Sequence, residues 1–334
     1  METVLIEGRT LKTAEGIKLS FPGSRLRFKT CDGPAKFYFH AVRSTADTGL
    51  DVIRDLENPK FHLMPDGTDP NALMMGEGGY MVEFSSPHDY DGLEFDFIRR
   101  NEAWQGDIIF TGAEALGGFC HPEPFPKTKL LFIGDSIPAG AGTTSRLNED
   151  GERVAVSNAR LAYPRVLGER LNAQVHHVAY GGRGLTRDWQ GITDTNNAPQ
   201  FYDRVLPDNP DHLWDPQDYQ ADIVSVMLGT NDFNPGIPER ESWTQAYKDF
   251  VTRIRGDYPK AQIFLISSPM TGGEKGDALK AYVKDVAESF GSPAVQYLDV
   301  SQYHGEAWDS HPTAAEHQKI ADELEADFRR ALEE

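Results

Sequence analysis

Four short sequence motifs carry residue types that could together cleave an acyl bond. In chain order they contain Ser136, Gly182, Asn231 and His311. A serine hydroxyl becomes a nucleophile when a neighbouring imidazole accepts its proton. Negative charge then develops on the former carbonyl oxygen, where preorganised N–H groups stabilise it. The backbone N–H groups of Ser136 and Gly182 and the side-chain amide of Asn231 could supply these donors.

Each of the first three motifs directly follows an apolar run that suits a buried strand. The runs span residues 130–133, 175–179 and 223–228, and a fourth run spans 263–266. Patterns with one apolar helical face occur at 163–171, 243–254, 279–290 and 317–328. Alternating strands and helices predict a parallel sheet with helices on both faces. Because sites form at the carboxyl ends of such strands, we expect the four side chains at one sheet edge.

The first third of the chain has a different pattern. Apolar and polar residues alternate at 25–29, 36–40, 80–84 and 93–97, which predicts strands with one face in water. Short strands separated by turn-like Pro and Gly residues indicate a β-sandwich or a jelly roll. A stretch with three prolines in six residues follows and suits an extended, semi-rigid linker. The predicted domains are therefore residues 1–120, a linker at 121–127, and residues 128–334.

The four motifs, over roughly residues 128–334, resemble those of the SGNH (GDS-type) hydrolase superfamily. The resemblance implies that Ser136 is the nucleophile and His311 its base. It also implies an oxyanion hole formed by Ser136, Gly182 and Asn231. Any one of these motifs occurs by chance, but four of them in order at predicted strand ends are specific.

The front of the chain narrows the resemblance further. Gly8-Arg9, Phe21-Pro22-Gly23-Ser24 and residues 99–112 resemble the N-terminal region of carbohydrate esterase family 2, in which a β-sandwich precedes an SGNH domain. This resemblance implies removal of O-acetyl groups from plant polysaccharides such as xylan or glucomannan. The expected partner is thus an acetylated oligo- or polysaccharide. The expected fold is α/β: an N-terminal β-sandwich (jelly roll), then a flavodoxin-like three-layer α/β/α domain with a parallel sheet.

Two other functions remain open at this point. The same site could act on other acyl groups, as a general short-chain esterase, thioesterase or lipase. Alternatively, the chain could be a carbohydrate-binding protein whose hydrolase domain is idle. The intact serine, asparagine and histidine argue against the idle alternative.

The residue that orients His311 is left with two candidates. The superfamily usually has an aspartate three residues before the histidine, but Trp308 stands there and Asp309 is only two residues before. Either the Asp309 carboxylate or a backbone carbonyl orients the imidazole. Trp189 and Trp308 are predicted to line the cleft, because sugars stack on aromatic faces. Arg183 is either a substrate contact or a structural ion-pair partner.

Three further motif residues are predicted to have local roles. Asp135 and Asp232 are expected to be loop carboxylates that accept hydrogen bonds from backbone N–H groups, outside the catalytic set. Thr313 has the capping-box spacing to a glutamate three residues later, so the last helix is expected to start there. His311 then lies in the loop before that helix.

Composition limits the remaining functions. The net charge of −19 at pH 7 should repel phosphate backbones, which argues against nucleic-acid binding. No apolar run approaches ~18 residues, so no membrane span is expected. The histidines lack ligand spacing and the chemistry needs no metal, so neither a metal nor a cofactor is expected. Cys31 and Cys120 are expected to be free thiols.

The compartment and the oligomeric state stay open in the sequence. The first residues contain no basic patch followed by an apolar core, so no secretory signal is visible. This leaves a cytoplasmic enzyme or a secreted protein whose signal has been removed.

Overall fold

The computed structural model describes residues 3–45, 47–54, 72–84, 92–147, 150–151, 153–305 and 310–333. Trp308 and Asp309 lie outside these ranges, and their predicted roles stay predictions. In the part of the chain described, no helix is both long and apolar enough to cross a bilayer.

The N-terminal part consists of two antiparallel sheets. Its strands are β1 Leu5–Glu7, β2 Thr10–Lys12, β3 Ile17–Leu19, β4 Arg25–Thr30, β5 Ala35–Val42, β6 Gly49–Arg54, β7 Ala72–Met74, β8 Gly78–Phe84, β9 Glu94–Arg99, β10 Asp107–Ala115 and β11 Phe119–Cys120. One sheet has the order β1-β4-β9-β6-β7, with β11 paired to β4, and the other has the order β2-β3-β10-β5-β8. The predicted sandwich is confirmed.

Phenylalanine rings fill the space between the two sheets. The ring centroids of Phe37 and Phe97 lie 4.7 Å apart, and those of Phe28 and Phe110 lie 5.0 Å apart. These residues occupy alternate positions of their strands, so their side chains point to the same interior. The period-two pattern of the sequence therefore identifies the core of the sandwich.

The prediction that each strand has one face in water is wrong for β4 and β9. Arg27 and Asp96 on their outer face are 7% and 1% exposed. Two nitrogens of the Arg27 guanidinium donate to the Asp96 carboxylate at 2.8 and 2.9 Å. The ring of Phe125, from the predicted linker, lies 4.7 Å from the same guanidinium. Paired charges let this polar face be buried, which alternation alone does not reveal.

Cys31 and Cys120 form a disulfide, so the prediction of two free thiols is wrong. The short strand β11 pairs with β4, and Cys120 stands opposite Lys29. This pairing brings Cys120 beside the turn that follows β4, with a Cα–Cα distance of 5.1 Å between the cysteines. The partners are 89 residues apart in sequence, and only the fold brings them together.

The C-terminal part is built on a parallel sheet with helices. Its strands are β12 Thr128–Gly134, β13 Thr144–Leu147, β14 Arg153–Val156, β15 Ala173–Ala179, β16 Arg204–Leu206, β17 Asn209–Leu213, β18 Ile223–Met227, β19 Gln262–Ile266 and β20 Val295–Leu298. Its helices are α1 Ser136–Ala139, α2 Tyr163–Arg170, α3 Ala198–Phe201, α4 Thr230–Phe233, α5 Arg240–Asp257, α6 Gly273–Ser289 and α7 Ala314–Glu333. Short 3₁₀ turns occur at Ala159–Leu161 and Pro216–Asp218.

The parallel sheet has the order β15-β12-β18-β19-β20, while β13–β14 and β16–β17 form separate hairpins. Counted within the sheet this order is 2-1-3-4-5, the flavodoxin-like order, so the fold prediction is confirmed. The apolar faces of α5 and α6 cover one side of the sheet, and those of α2 and α7 cover the other. The order reverses between β12 and β18, where such folds form their sites.

The capping box predicted before the last helix is present. Thr313 Oγ1 accepts from the backbone N–H of Glu316 at 3.3 Å, and the Glu316 carboxylate accepts from the Thr313 N–H at 2.8 Å. The helix itself starts one residue later, at Ala314, because Thr313 is the capping residue. His311 consequently lies in the loop before α7.

Buried charges join the sandwich to the parallel-sheet part. The Glu7 carboxylate of β1 contacts the Arg165 guanidinium of α2 at 3.0 Å and accepts from the Val175 N–H of β15 at 2.6 Å. The Asp51 carboxylate of β6 contacts Arg160 at 2.6 Å. Glu7 and Asp51 are both fully buried. The two parts are in direct contact through these pairs, although the exact domain boundaries stay a prediction.

Candidate active site

Ser136 and His311 meet at the carboxyl edge of the parallel sheet. Ser136 is the first residue of α1, two positions after the last residue of β12, and His311 precedes α7. The distance between Ser136 Oγ and His311 Nε2 is 2.7 Å, a hydrogen bond of the length that proton transfer requires. Gly142 lies beneath the histidine with a φ of +70°, and a Cβ there would come within 2.6 Å of the His311 Cβ. Ser136 and His311 are separated by 175 positions in the sequence, so only the fold brings them together.

Asp135 has the local role that the sequence predicts. Its carboxylate accepts from the Ile137 N–H at 3.1 Å and caps the short helix α1. Asp135 is fully buried, and burial raises the pKa of its carboxyl to about 6 despite that hydrogen bond. It therefore fixes the turn that presents Ser136.

The three residues predicted to form the oxyanion hole, Ser136, Gly182 and Asn231, line the same cleft. The Ser136 N–H is at the start of α1, where the helix supplies no acceptor. Gly182 has a φ of +75°, a left-handed conformation that favours glycine. Across the described ranges, no oxygen accepts from the Gly182 N–H. This donor can therefore meet a developing negative charge without first breaking a bond.

The side-chain amide of Asn231, unlike the Gly182 N–H, already donates hydrogen bonds within the protein. Its side-chain Nδ2 donates to the Arg183 carbonyl oxygen at 2.9 Å and to the Asp135 carboxylate at a longer 3.4 Å. Both amide hydrogens thus have partners, and the longer bond is the weaker of the two. To donate to an oxyanion, the amide would release the Asp135 contact. Its role as an oxyanion donor stays a prediction.

The Ser136–His311 pair opens into a cleft of about 770 Å³. Two tryptophans at the cleft are half-exposed: Trp104 at 51% and Trp189 at 52%. The sequence singled out Trp189, but it did not single out Trp104. Trp104 comes from the sandwich, in the loop between β9 and β10, so the sandwich supplies one wall of the cleft.

The sandwich loop that carries Trp104 is firmly held. The fully buried Arg99 donates to the Glu102 carbonyl oxygen at 2.7 Å and to the Gly106 carbonyl oxygen at 2.7 Å. The Asn101 side chain donates to the Gln105 carbonyl oxygen at 3.0 Å. The Glu102 side chain also lines the cleft, where it occupies the space that a Cβ on Gly181 would need. Glu102 is not among the residues predicted for the site, although it lies inside the 99–112 motif that carries the resemblance.

Arg183 forms an ion pair and also lies at the cleft. Its guanidinium contacts the Asp188 carboxylate at 3.6 Å and lies 5.2 Å from the ring of Tyr180. The residue also lines the cleft. The ion-pair alternative is therefore confirmed, and substrate contact stays a prediction.

Asp232 accepts hydrogen bonds from backbone N–H groups, as predicted, but they belong to another loop. The residue is on α4 and is fully buried. Its carboxylate accepts from the N–H groups of Leu185 and Thr186, each at 2.8 Å. These donors lie after β15, in the loop that also carries Gly182 and Trp189.

The remaining histidines and acids form no further centre in the regions described. His317 is fully buried on α7, and burial lowers the pKa of its imidazole to about 3. His317 Nδ1 accepts from the Tyr163 N–H at 3.1 Å, which is a structural contact. Over the same residues, no group of three His, Cys, Asp or Glu side chains has the arrangement of a metal site.

Comparison with known proteins extends these observations. Residues 132–319 match the model of the GDSL-like Lipase/Acylhydrolase family. An acetylxylan esterase / glucomannan deacetylase from Cellvibrio japonicus is 35% identical over 333 residues, which covers 99% of this chain and 89% of that protein.

Two solved structures are similar over nearly the whole chain. A family two carbohydrate esterase from Cellvibrio japonicus has a TM-score of 0.88 at 29% identity, covering 99% of this chain and 95% of the other. A family two carbohydrate esterase from Clostridium thermocellum, in complex with cellohexaose, has a TM-score of 0.85 at 25% identity, covering 99% of both chains. The resemblance seen in the sequence is confirmed, and the chain belongs to the GDSL-like lipase/acylhydrolase family.

Proposed function

We propose that this protein is a serine esterase that removes O-acetyl groups from carbohydrates such as xylan, glucomannan or their oligosaccharides. The observation that carries the proposal is the 2.7 Å contact between Ser136 Oγ and His311 Nε2 in a cleft with two half-exposed tryptophans. Aromatic faces of this kind suit the apolar faces of sugar rings. The names of the similar proteins support the same activity.

The first half of the reaction forms an acetyl-enzyme. Ser136 Oγ attacks the acetyl carbonyl carbon while His311 Nε2 accepts the hydroxyl proton. The carbonyl oxygen becomes negative, and the N–H groups of Ser136 and Gly182, with the Asn231 amide, stabilise it. The intermediate then collapses. His311 returns the proton to the departing sugar oxygen, and the acetyl group stays on the serine.

The second half releases acetate. A water molecule takes the place of the sugar and gives a proton to His311 as it attacks the acetyl carbonyl carbon. The same N–H groups stabilise the second intermediate. When it collapses, Ser136 Oγ regains its proton from His311 and acetate leaves. The group that orients the imidazole in both halves is the Asp309 carboxylate or a backbone carbonyl.

The side chains that line the cleft favour a short acyl group on a polar alcohol. Polar residues make up much of the lining, including Arg183, Asp188, Gln190 and Asn234. A fatty acyl chain gains affinity mainly from apolar surface, whereas polar side chains such as these can bind the hydroxyl groups of a sugar. The cleft therefore supports the deacetylase over the lipase alternative. The short Ser136–His311 contact supports an active site over an idle one.

Acetate release from a panel of acetylated glycans tests the proposal. We expect release from acetylated xylan or glucomannan. Among p-nitrophenyl esters, acetate should be cleaved faster than butyrate and much faster than octanoate. The variant Ser136→Ala should lose at least ~10⁴-fold in kcat, as is typical when the nucleophile is removed. Ser289→Ala on α6, remote from the cleft, should match the unmodified enzyme.

Two outcomes would contradict the proposal. Faster cleavage of octanoate than acetate would favour the lipase alternative. Glycan binding without acetate release would favour the idle hydrolase. If Ser136→Ala kept more than about a hundredth of the activity, in a preparation free of unmodified enzyme, Ser136 would not be the nucleophile.

A further inference from the structure

We propose that Asp232 is a positioning residue that holds the Gly182 loop, residues 180–189, in a fixed place relative to Asn231. The inference rests on the proposed function, because it concerns how two oxyanion donors on different loops keep one geometry. Asp232 itself is fully buried and is not among the residues that line the cleft, so it acts through the loop that it binds.

The Asp232 carboxylate receives four hydrogen bonds from three consecutive residues of the loop. Oδ1 accepts from the Thr186 N–H at 2.8 Å, the Thr186 hydroxyl at 2.8 Å and the Arg187 N–H at 3.3 Å. Oδ2 accepts from the Leu185 N–H at 2.8 Å. Both oxygens are thus engaged with a single segment, which no neutral side chain of this size could hold in the same way.

Asp232 is also connected to the candidate oxyanion hole through its neighbour in the chain, Asn231. Asp232 follows Asn231 in α4, so the residue that binds the loop is covalently next to an oxyanion donor. Within the loop, the Trp189 N–H donates to the Gly182 carbonyl oxygen at 3.0 Å. One carboxylate therefore connects Asn231 with the loop that presents the Gly182 N–H and the Trp189 ring.

Two further contacts tighten the same junction. The Arg187 Nε donates to the Asp232 carbonyl oxygen at 2.7 Å, which adds a bond in the reverse direction. Gly184 has no Cβ, and a Cβ there would collide with Asp232 Oδ2. The loop and the carboxylate are packed closely enough that a side chain at position 184 would force them apart.

The substitution Asp232→Asn tests the inference because it preserves shape and removes one acceptor. An amide keeps one oxygen and turns the other position into an N–H₂ group, which would face a backbone N–H. We expect kcat for p-nitrophenyl acetate to fall about 10- to 100-fold with KM changed less than about threefold. A small displacement of a donor costs about this much in the transition state. Amide hydrogen exchange at residues 185–187 should accelerate at least about tenfold.

A matched control separates positioning from general loss of stability. Asp222 also accepts a backbone N–H, from Lys129 at 2.8 Å, but at the opposite edge of the same sheet. Asp222→Asn should leave kcat within about twofold and leave exchange at 185–187 unchanged. Thr186→Val removes only one of the four bonds and Thr186→Ser retains it, so only the valine variant should lower kcat, by about two- to fivefold.

The outcomes distinguish this inference from the proposed function. An unmodified enzyme without esterase activity would overturn the proposed function, and hydrogen exchange would still test whether Asp232 holds the loop. An active enzyme whose Asp232→Asn variant keeps kcat within twofold, or loses no more than Asp222→Asn, would overturn only the inference. If Asp232→Asn does not fold, equal kcat values for Thr186→Val and Thr186→Ser would overturn it instead.

Discussion

Replacing Glu7 with glutamine should weaken the junction between the sandwich and the parallel-sheet part. The Glu7 carboxylate is fully buried and contacts the guanidinium groups of Arg165 at 3.0 Å and Arg25 at 2.6 Å. Burial alone raises the pKa of this carboxyl, but the charges of Arg165 and Arg25 outweigh it. Together they lower the Glu7 pKa from 4.5 to about 2.

The shift in pKa sets both the size and the pH range of the effect. Since the pKa is lower in the folded protein, ionised Glu7 stabilises it fully above about pH 4.5, and this contribution is lost as the pH falls towards 2. At ~1.4 kcal/mol per pKa unit, the lowering of the Glu7 pKa from 4.5 to about 2 corresponds to roughly 3 kcal/mol of folding stability at neutral pH. Glu7→Gln removes the carboxylate that pairs with Arg165, whereas Arg25 keeps the buried Asp96 carboxylate at 3.1 Å. The loss of this pairing is already contained in the pKa shift and adds no separate amount.

Urea unfolding at pH 7 and at lower pH measures this contribution. Glu7→Gln should reduce the free energy of unfolding by about 3 kcal/mol at pH 7. The difference in unfolding free energy between the unmodified protein and the variant should shrink by more than half near pH 3. Glu83→Gln is the matched control, because Glu83 contacts Lys36 only at 3.8 Å and both side chains are exposed. It should cost less than about 1 kcal/mol. This reasoning would be refuted if Glu7→Gln lowered the free energy of unfolding by less than 1 kcal/mol at pH 7. It would also be refuted if the loss were the same at pH 7 and pH 3.

Three further predictions concern the site and the domains. Asn231→Ala should lower kcat for p-nitrophenyl acetate about 10²-fold with little change in KM, whereas a loss wholly in KM would make Asn231 a ground-state contact. Asp309→Asn should lower kcat by ~10³–10⁴-fold if its carboxylate orients His311, and a loss within tenfold would assign that role to a backbone carbonyl. Deleting residues 1–120 should give insoluble or strongly destabilised protein, because the junction at Glu7 and one cleft wall are lost. A soluble 121–334 fragment with the full-length Tm and activity would contradict this.

The parallel-sheet part is the region that sequence patterns describe best. A strand buried on both faces is a continuous apolar run, and a helix that covers it has one apolar stripe, so both signals are local. The stripe of α7 is buried as predicted, from His317 to Phe328. Strand β20 escaped prediction because three of its four residues are only half-buried and its apolar run is broken. The Ser136–His311 pair followed from the motifs because parallel strands end at one edge.

Features that depend on contact between distant segments could not be predicted in the same way. Trp104 follows a strand of the sandwich, and nothing in its neighbourhood indicates that its loop reaches the edge of another sheet. The outer face of β4 and β9 looks like a solvent face, because Arg27 and Asp96 are charged. Only their mutual pairing makes burial tolerable, and pairing across strands has no signature in a single sequence. Asp232 shows the same limit, since its role as an acceptor was predicted but its partner loop was not.

The bond between Cys31 and Cys120 makes part of this architecture conditional on redox state. It closes a loop of about 90 residues, and in the chain-entropy description such a closure removes roughly 4–5 kcal/mol of freedom from the unfolded chain. Thiols join in this way only under oxidising conditions. The same polypeptide made in a reducing cytoplasm would carry two thiols instead, Cys31 directly after β4 and Cys120 at the end of β11. Material from oxidising and reducing hosts would then share one sequence and one site but differ in resistance to unfolding.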